Sequence, residues 1–163
     1  MNLLKKIGIA SIIILIGIIL FYLLFPAEDQ RIQNLIQKGK TGIEQEDILK
    51  TMSAVSIEYR DQYGRIYASM RSAFLEVFKE VDSITIRYNI TDLQIKDDTA
   101  YATITVWAYG IINTMQQDIV GDSRIPGQIR LTIRKKDFMW KVVDSEWDDV
   151  KQVRSDIFRF SSF

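Results

Sequence analysis

The side chains able to do chemistry in this chain are few in kind. Among 163 residues there is no histidine and no cysteine. That removes the usual general base near neutral pH, the usual thiol nucleophile and the usual soft metal ligands together. Ser-His-Asp and Cys-His catalysis, zinc sites and redox dithiols are excluded. What remains is carboxylate and phenol chemistry, and a carboxylate in an apolar pocket can have its pKa raised and serve as acid or base. Spacing singles out only local groups. Asp97-Asp98, with Asp92 nearby, is a weak cation-attracting cluster whose plain reading is a solvated turn. Asn89-Ile90-Thr91 has the glycosylation acceptor pattern, but inside a strand the match reads as chance. Phe158, Phe160 and Phe163, set among Arg154 and Arg159, need an apolar partner, either the domain's own core or a docking protein. No metal site, catalytic set or cofactor is expected.

The elements that position these groups begin with an anchor. From Ile7 to Phe25 nineteen residues run without a charge, and a helical rise of about 1.5 Å per residue carries them across a hydrocarbon core of roughly 30 Å. A transmembrane helix over 7–25 is predicted, preceded by a short tail over 1–6, so the bilayer itself is an expected partner. A cleaved signal would have a shorter apolar region and small residues at its end, whereas this run closes on Leu23-Leu24-Phe25-Pro26. The absence of cysteine also excludes a lipidated N-terminus. Lys5 and Lys6 precede the run and Glu28 and Asp29 follow it, which by the positive-inside rule favours a cytoplasmic N-terminus and an extracytoplasmic domain. Gly8 and Gly17 do not form a small-xxx-small pair, so tight packing through the anchor is not indicated.

The remainder is long enough for one core. It carries 19 basic against 21 acidic residues, and with no basic stripe it is not expected to bind nucleic acid. Residues 27–39 read as an amphipathic helix ended by Gly39, and Thr41-Gly42-Ile43-Glu44 as the capping box of a second helix carrying Ile48, Leu49 and Met52. Ser53 to Gly64 has no clear pattern. Arg65 to Val81 is the strongest helix, with Ile66, Met70, Phe74, Val77 and Val81 at helical spacing and Tyr67 and Phe78 widening the face, as burial against a sheet would require. From Ser83 the period falls to two. Ile84, Ile86, Tyr88 and Ile90 alternate with polar residues, then Ala100, Ala102, Ile104, Val106 and Ala108 do so across a turn at Lys96-Asp97-Asp98. Pro126-Gly127 precedes a third strand through Ile129, Leu131 and Ile133, and Lys135-Lys136-Asp137 turns into a fourth, Phe138 to Trp147. The predicted class is α+β: three helices on a curved four-stranded antiparallel sheet over 27–147, with 148–163 a tail or short helix.

This order resembles the nuclear transport factor two-like superfamily, the cone-shaped fold of ketosteroid isomerases and SnoaL-type cyclases. The resemblance covers about residues 28–147. It rests on Glu46-Asp47-Ile48, on Tyr59-Arg60-Asp61-Gln62-Tyr63-Gly64 before the long helix, on Asp98-Thr99-Ala100-Tyr101-Ala102 and on Trp140-Lys141-Val142-Val143-Asp144. It implies a cone pocket with Tyr59, Tyr63, Phe74 and Phe78 as pocket candidates, and Asp61 and Asp144 as further polar groups near it. Enzymes of the superfamily place a carboxylate, tyrosine or histidine there for proton transfer. Here the plainer roles are Asp61 as a turn former, the tyrosines as core rings and Asp144 paired to a neighbouring strand. The fold hosts enzymes, binders and structural subunits alike and names no activity.

If the alanine and aliphatic positions of the second strand face the helices, Tyr101, Thr103, Thr105, Trp107 and Tyr109 line the opposite face. Lys141, Val143, Ser145 and Trp147 are expected beside them on the last strand, and Arg130, Thr132 and Arg134 on the one between. Solvated strands carry Thr, Lys and Arg routinely, but aromatics and arginines are enriched at interfaces. The expected surface is Tyr101, Thr103, Thr105, Trp107, Val143 and Trp147. Proteins resembling this fold often pair by apposing sheets, so a homodimer is expected, and a membrane-complex partner beside it. Inner-membrane scaffolds of type IV secretion systems are similar in arrangement. The expectation is a membrane-anchored, non-catalytic binding or assembly module, the alternative a binder or enzyme taking a small apolar ligand in the cone.

Overall fold

The structure, a computed structural model, describes residues 12–17, 27–122 and 124–147. The chain divides into two units, Met1–Arg31 and Ile32–Phe163. In the first, residues 12–17 are helical. The rest of the expected span 7–25, the tail 1–6 and the C-terminal stretch 148–163 lie outside the described residues. Among the described residues no helix is long and apolar enough to cross a membrane.

Helix α1 runs Glu28–Glu44, past the expected stop at Gly39. The reason is packing. Gly39 stays inside the helix beside Ala54, and three residues on a Cβ on Gly42 would sit 2.5 Å from the backbone nitrogen of Thr51, so that glycine lets α1 and the following helix touch. The expected capping box falls inside the last turn instead. There Thr41 donates to the Gln37 carbonyl at 2.8 Å, while Glu44 takes Lys40 Nζ at 2.5 Å and the Ile86 amide at 2.8 Å. Helix α2, Ile48–Met52, is capped by Asp47, whose side chain accepts from the Lys50 amide at 2.9 Å. Helix α3, Tyr67–Glu80, begins where Ser69 Oγ accepts from the Ile66 amide and donates to the Ile66 carbonyl. Its buried face is narrower than its apolar spacing predicts. Val77 is buried and Val81 follows just beyond, while Met70, Phe74 and Phe78 are half-buried and Ile66 is exposed.

The sheet has five antiparallel strands rather than four: β1 Asp82–Lys96, β2 Thr99–Ile112, β3 Met115–Val120, β4 Gly127–Lys136 and β5 Met139–Trp147. The order is β1-β2-β4-β5, with β3 also on β2. β4 covers Thr99 to Val106 of β2 and β3 covers Ala108 to Ile112, so the two lie end to end along one side of the same strand. β3 has no sequence signature of a strand, because Met115-Gln116-Gln117-Asp118 shows no apolar alternation and only Ile119 and Val120 are buried.

One core cluster joins Ile32 and Leu35 of α1 to Ala100, Ala102, Ile104, Ile133 and Trp140 of the sheet. The other joins Val77 and Val81 to Ile84, Ala108, Ile119 and Val120. The small residues of β2 thus let helices approach the sheet at both ends. The unpatterned stretch after α2 has a definite job. Ser56 N and Arg60 N donate to the Val142 and Val143 carbonyls at 2.8 and 3.0 Å, and Val142 N donates to the Ala54 carbonyl at 3.0 Å. Residues 54–60 therefore cover the outer edge of β5, which would otherwise be an unpaired edge strand.

Candidate functional site

Fastening 54–60 to β5 brings Tyr59 inward, where it is 2 % exposed. Its Oη lies 2.7 Å from Ser145 Oγ and 3.2 Å from Asp61 Oδ2. A phenol has one proton. With that proton given to the Asp61 carboxylate, the Ser145 hydroxyl donates to Tyr59, and the three groups form a directed chain. Asp61 is filled from the other side too. Its Oδ1 accepts from the Tyr63 and Arg65 amides at 2.9 Å each, and Oδ2 also takes Arg65 Nε in an ion pair. Burial pushes the Tyr59 phenol up to about 12, against the Ser145 hydrogen bond that lowers it and the Asp61 charge that raises it further. The backbone of the same residue closes the turn leading to Gly64, whose amide donates to the Asp61 carbonyl at 3.0 Å.

The four pocket candidates do not converge. Tyr59 belongs to this buried chain, but Tyr63 is 51 % exposed, with the Arg65 guanidinium 5.1 Å from its ring centre. Phe74 and Phe78 meet each other at a ring separation of 6.0 Å on α3, and Phe78 packs on the second core cluster. Asp144 behaves differently from its expected strand pairing. It lies across from Thr132 of β4, and its Oδ1 is buried without a hydrogen-bond partner. Burial holds its carboxyl above the usual carboxylate range, with Glu146 and Asp61 adding to the rise and the Ser145 backbone working against it.

The outward face is only partly as expected. Along β2 the even-numbered residues face the helices, and Tyr101, Thr103, Thr105 and Trp107 lie on the other side, Tyr101 being 52 % exposed. On β5 the expectation fails. The register shifts between Thr132 and Ile133, whose partners are Asp144 and Val142, so Val143 is an extra residue and the side-chain parity reverses beyond it. Ser145 is consequently buried, and Trp147 packs on the second core cluster rather than joining Trp107. A shallow pocket of about 170 Å3 opens on the outward face between Tyr101, Thr103 and Thr132, beside the Arg130–Glu146 ion pair at 3.2 Å.

A larger cavity, about 380 Å3, lies where Met52–Glu58 meets β4 and β5, and none of its lining residues belongs to either core cluster. Its cations do not stand out in the sequence, because Arg134 and Lys141 look like ordinary solvated strand residues. A faint signal was available: Ile57, Phe138 and Met139 are large apolar residues in turn-rich stretches, with no periodicity to bury them. Among the described residues no group of three or more acidic side chains is placed to hold a metal ion.

No family model and no curated protein matches the chain. Solved structures do. A ketosteroid isomerase-like protein from Erwinia carotovora atroseptica is 15 % identical with a TM-score of 0.59, over 77 % of this chain and 99 % of that one. A nuclear transport factor 2 (NTF2-like) superfamily protein from Salmonella enterica is 14 % identical with a TM-score of 0.61, over 73 % and 88 %. A protein of unknown function with a cystatin-like fold from Nostoc punctiforme is 11 % identical with a TM-score of 0.56, over 76 % and 91 %. At these identities the likeness is one of fold: the second unit has the cone-shaped α+β architecture these proteins share.

Proposed function

We propose that this protein is a membrane-tethered, non-catalytic binding module that associates through the outward face of its sheet. In this reading residues 7–25 hold the domain at the bilayer with the N-terminus in the cytoplasm, which raises its effective concentration for a second copy or a membrane-complex partner. The observation that carries the reading is the unbroken alternation of β2. It sets Tyr101, Thr103, Thr105 and Trp107 in one row away from the helices, while the buried Asp61 carboxylate already accepts four donors. Val143 remains beside the row only as the bulge residue, and Trp147 leaves it. A second reading, a small apolar ligand in the cone, draws support from the likeness to a ketosteroid isomerase-like protein. Against it, the cone interior holds Ile32, Ile133 and Trp140 in close contact.

The test is sedimentation of the full chain in density-matched detergent, with Trp107→Glu beside it. A dimer converted to a monomer of unchanged circular dichroism supports association through the sheet face. A monomer in both, or a dimer in both, removes it.

A further inference from the structure

We infer that the cavity beside β5 binds a small amphiphilic organic anion, its carboxylate-type head held by Lys141 and Arg134 and its apolar body against Val55, Ile57, Met139 and Val143. At about 380 Å3 the space has the size of a small-ligand site, which commonly falls between roughly 300 and 1,000 Å3. Its chemistry is two-sided. Ile57 is 77 % exposed and Met139 58 %, so the mouth keeps large apolar side chains in water, and Phe138 in the adjoining turn is 81 % exposed. That turn holds Phe138 and Met139 there at some conformational expense. Asp137 and Phe138 both have left-handed backbones, φ 51° and 63°, in a hairpin position where Asn-Gly is the favoured pair.

The charges point to the head group. Lys136 is already matched by Glu58 at 2.6 Å. Lys141 is not matched: its half-buried ammonium donates to the Ser53 carbonyl, and no carboxylate among the described residues pairs with it. Burial lowers its pKa, and the charge of Lys38 lowers it further, so its cationic form gains from any anion that arrives. The Arg134 side chain makes no hydrogen bond or salt bridge among the described residues, although its charge acts on Glu58, and its guanidinium offers a planar fork suited to a carboxylate. Glu58 is engaged chiefly by Lys136 and more weakly by Arg134, and Asp137 is the other carboxylate among the described lining residues, so Lys141 and Arg134 stand beside apolar walls without a salt-bridge partner. A polyanion such as nucleic acid would find too few cations, and a neutral lipid would leave the Lys141 ammonium as it is.

This site is separate from the association proposed through Trp107 and stands or falls by itself. The experiment is calorimetric titration of the full chain in zwitterionic nanodiscs with octanoate, octanol and octylammonium, each corrected by empty discs. Octanoate is expected to bind at least tenfold more tightly than octanol, with octylammonium giving no site at all. Lys141→Met and Arg134→Gln should each weaken octanoate about threefold to tenfold, and Val143→Phe, which fills the cavity, should abolish the heat. Equal affinities for octanoate and octanol, or octanoate binding untouched by Val143→Phe, overturn the assignment. Should Lys141→Met fail to fold, Arg134→Gln decides the charge question alone, and an unchanged affinity there overturns it.

Discussion

Asp61 and Asp144 are two carboxylates near the same edge of the sheet, and the fold treats them in opposite ways. Asp61 is 5 % exposed and accepts four donors, from the Tyr59 phenol, two backbone amides and the Arg65 side chain. Asp144 keeps a buried oxygen with no donor at all, and its carboxyl is raised by that burial. A buried charge is tolerated when its hydrogen-bonding capacity is filled and costly when it is not. The first group therefore reads as structure: it ties the covering segment, the start of α3 and β5 into one knot. The second reads as an unmet demand. The same contrast runs along the covering segment, where Tyr59 is held by Ser145 and Asp61 while the side holding Ile57 faces Lys141 and Arg134, neither of them in a salt bridge among the described residues.

The strongest way to break this contrast is to empty the knot. Asp61→Ala leaves the Arg65 guanidinium, the Tyr59 phenol and two amides without their acceptor. Removing one partner of a buried ion pair typically costs about 3–5 kcal/mol, so urea denaturation should show a loss of that order. A loss under about 1 kcal/mol would mean that Asp61 is not the tie and that water can replace it.

A smaller cut is Tyr59→Phe, which keeps the ring and removes the middle of the chain. At neutral pH it should cost about 1–2 kcal/mol, since Ser145 and Asp61 each lose a buried partner. The alkaline limb is more telling. A phenol raised from 10.0 to about 12 contributes stability that is complete below pH 10 and is lost as pH climbs through the folded value. Wild type should therefore lose stability between about pH 10 and pH 12, and Tyr59→Phe should lose less there. Parallel curves for the two proteins would place the phenol in water.

How far these features could be read from the sequence differs by residue. The alternation of β2 was legible because one face of it meets helices along its whole length, so every second residue is small or aliphatic. The Asp97 turn was legible for the same local reason. The glycines of α1 misled, since Gly42 serves a contact with Thr51 that only the folded chain reveals. The bulge at Val143 has no local mark, being neither Gly nor Pro, yet it sends Ser145 and Trp147 to the opposite face and completes the Tyr59 chain. Asp61 was legible as a turn residue but not as a fourfold acceptor, because Tyr59 and Arg65 reach it by tertiary placement. Pocket and knot alike depend on where the 54–60 segment docks, and the hydrogen bonds that fasten it along β5 at Val142 and Val143 are backbone to backbone, which side-chain patterns do not encode.

The gentlest test addresses the unmatched carboxylate. Asp144→Asn keeps the shape and removes the charge, so at pH 7 it should raise the melting midpoint by about 2 °C, a shift corresponding to under 1 kcal/mol in a domain of this size. The pH dependence separates charge from shape. A carboxyl whose folded pKa is raised favours folding when protonated, and that advantage is lost as pH rises through the folded value. Wild type should accordingly gain on Asp144→Asn as pH falls, and the gap should close below the ordinary value of 3.8. A gap that stays constant from pH 7 to pH 3 would mean that Asp144 has found a donor in solution, and the two carboxylates would then differ only in what fills them.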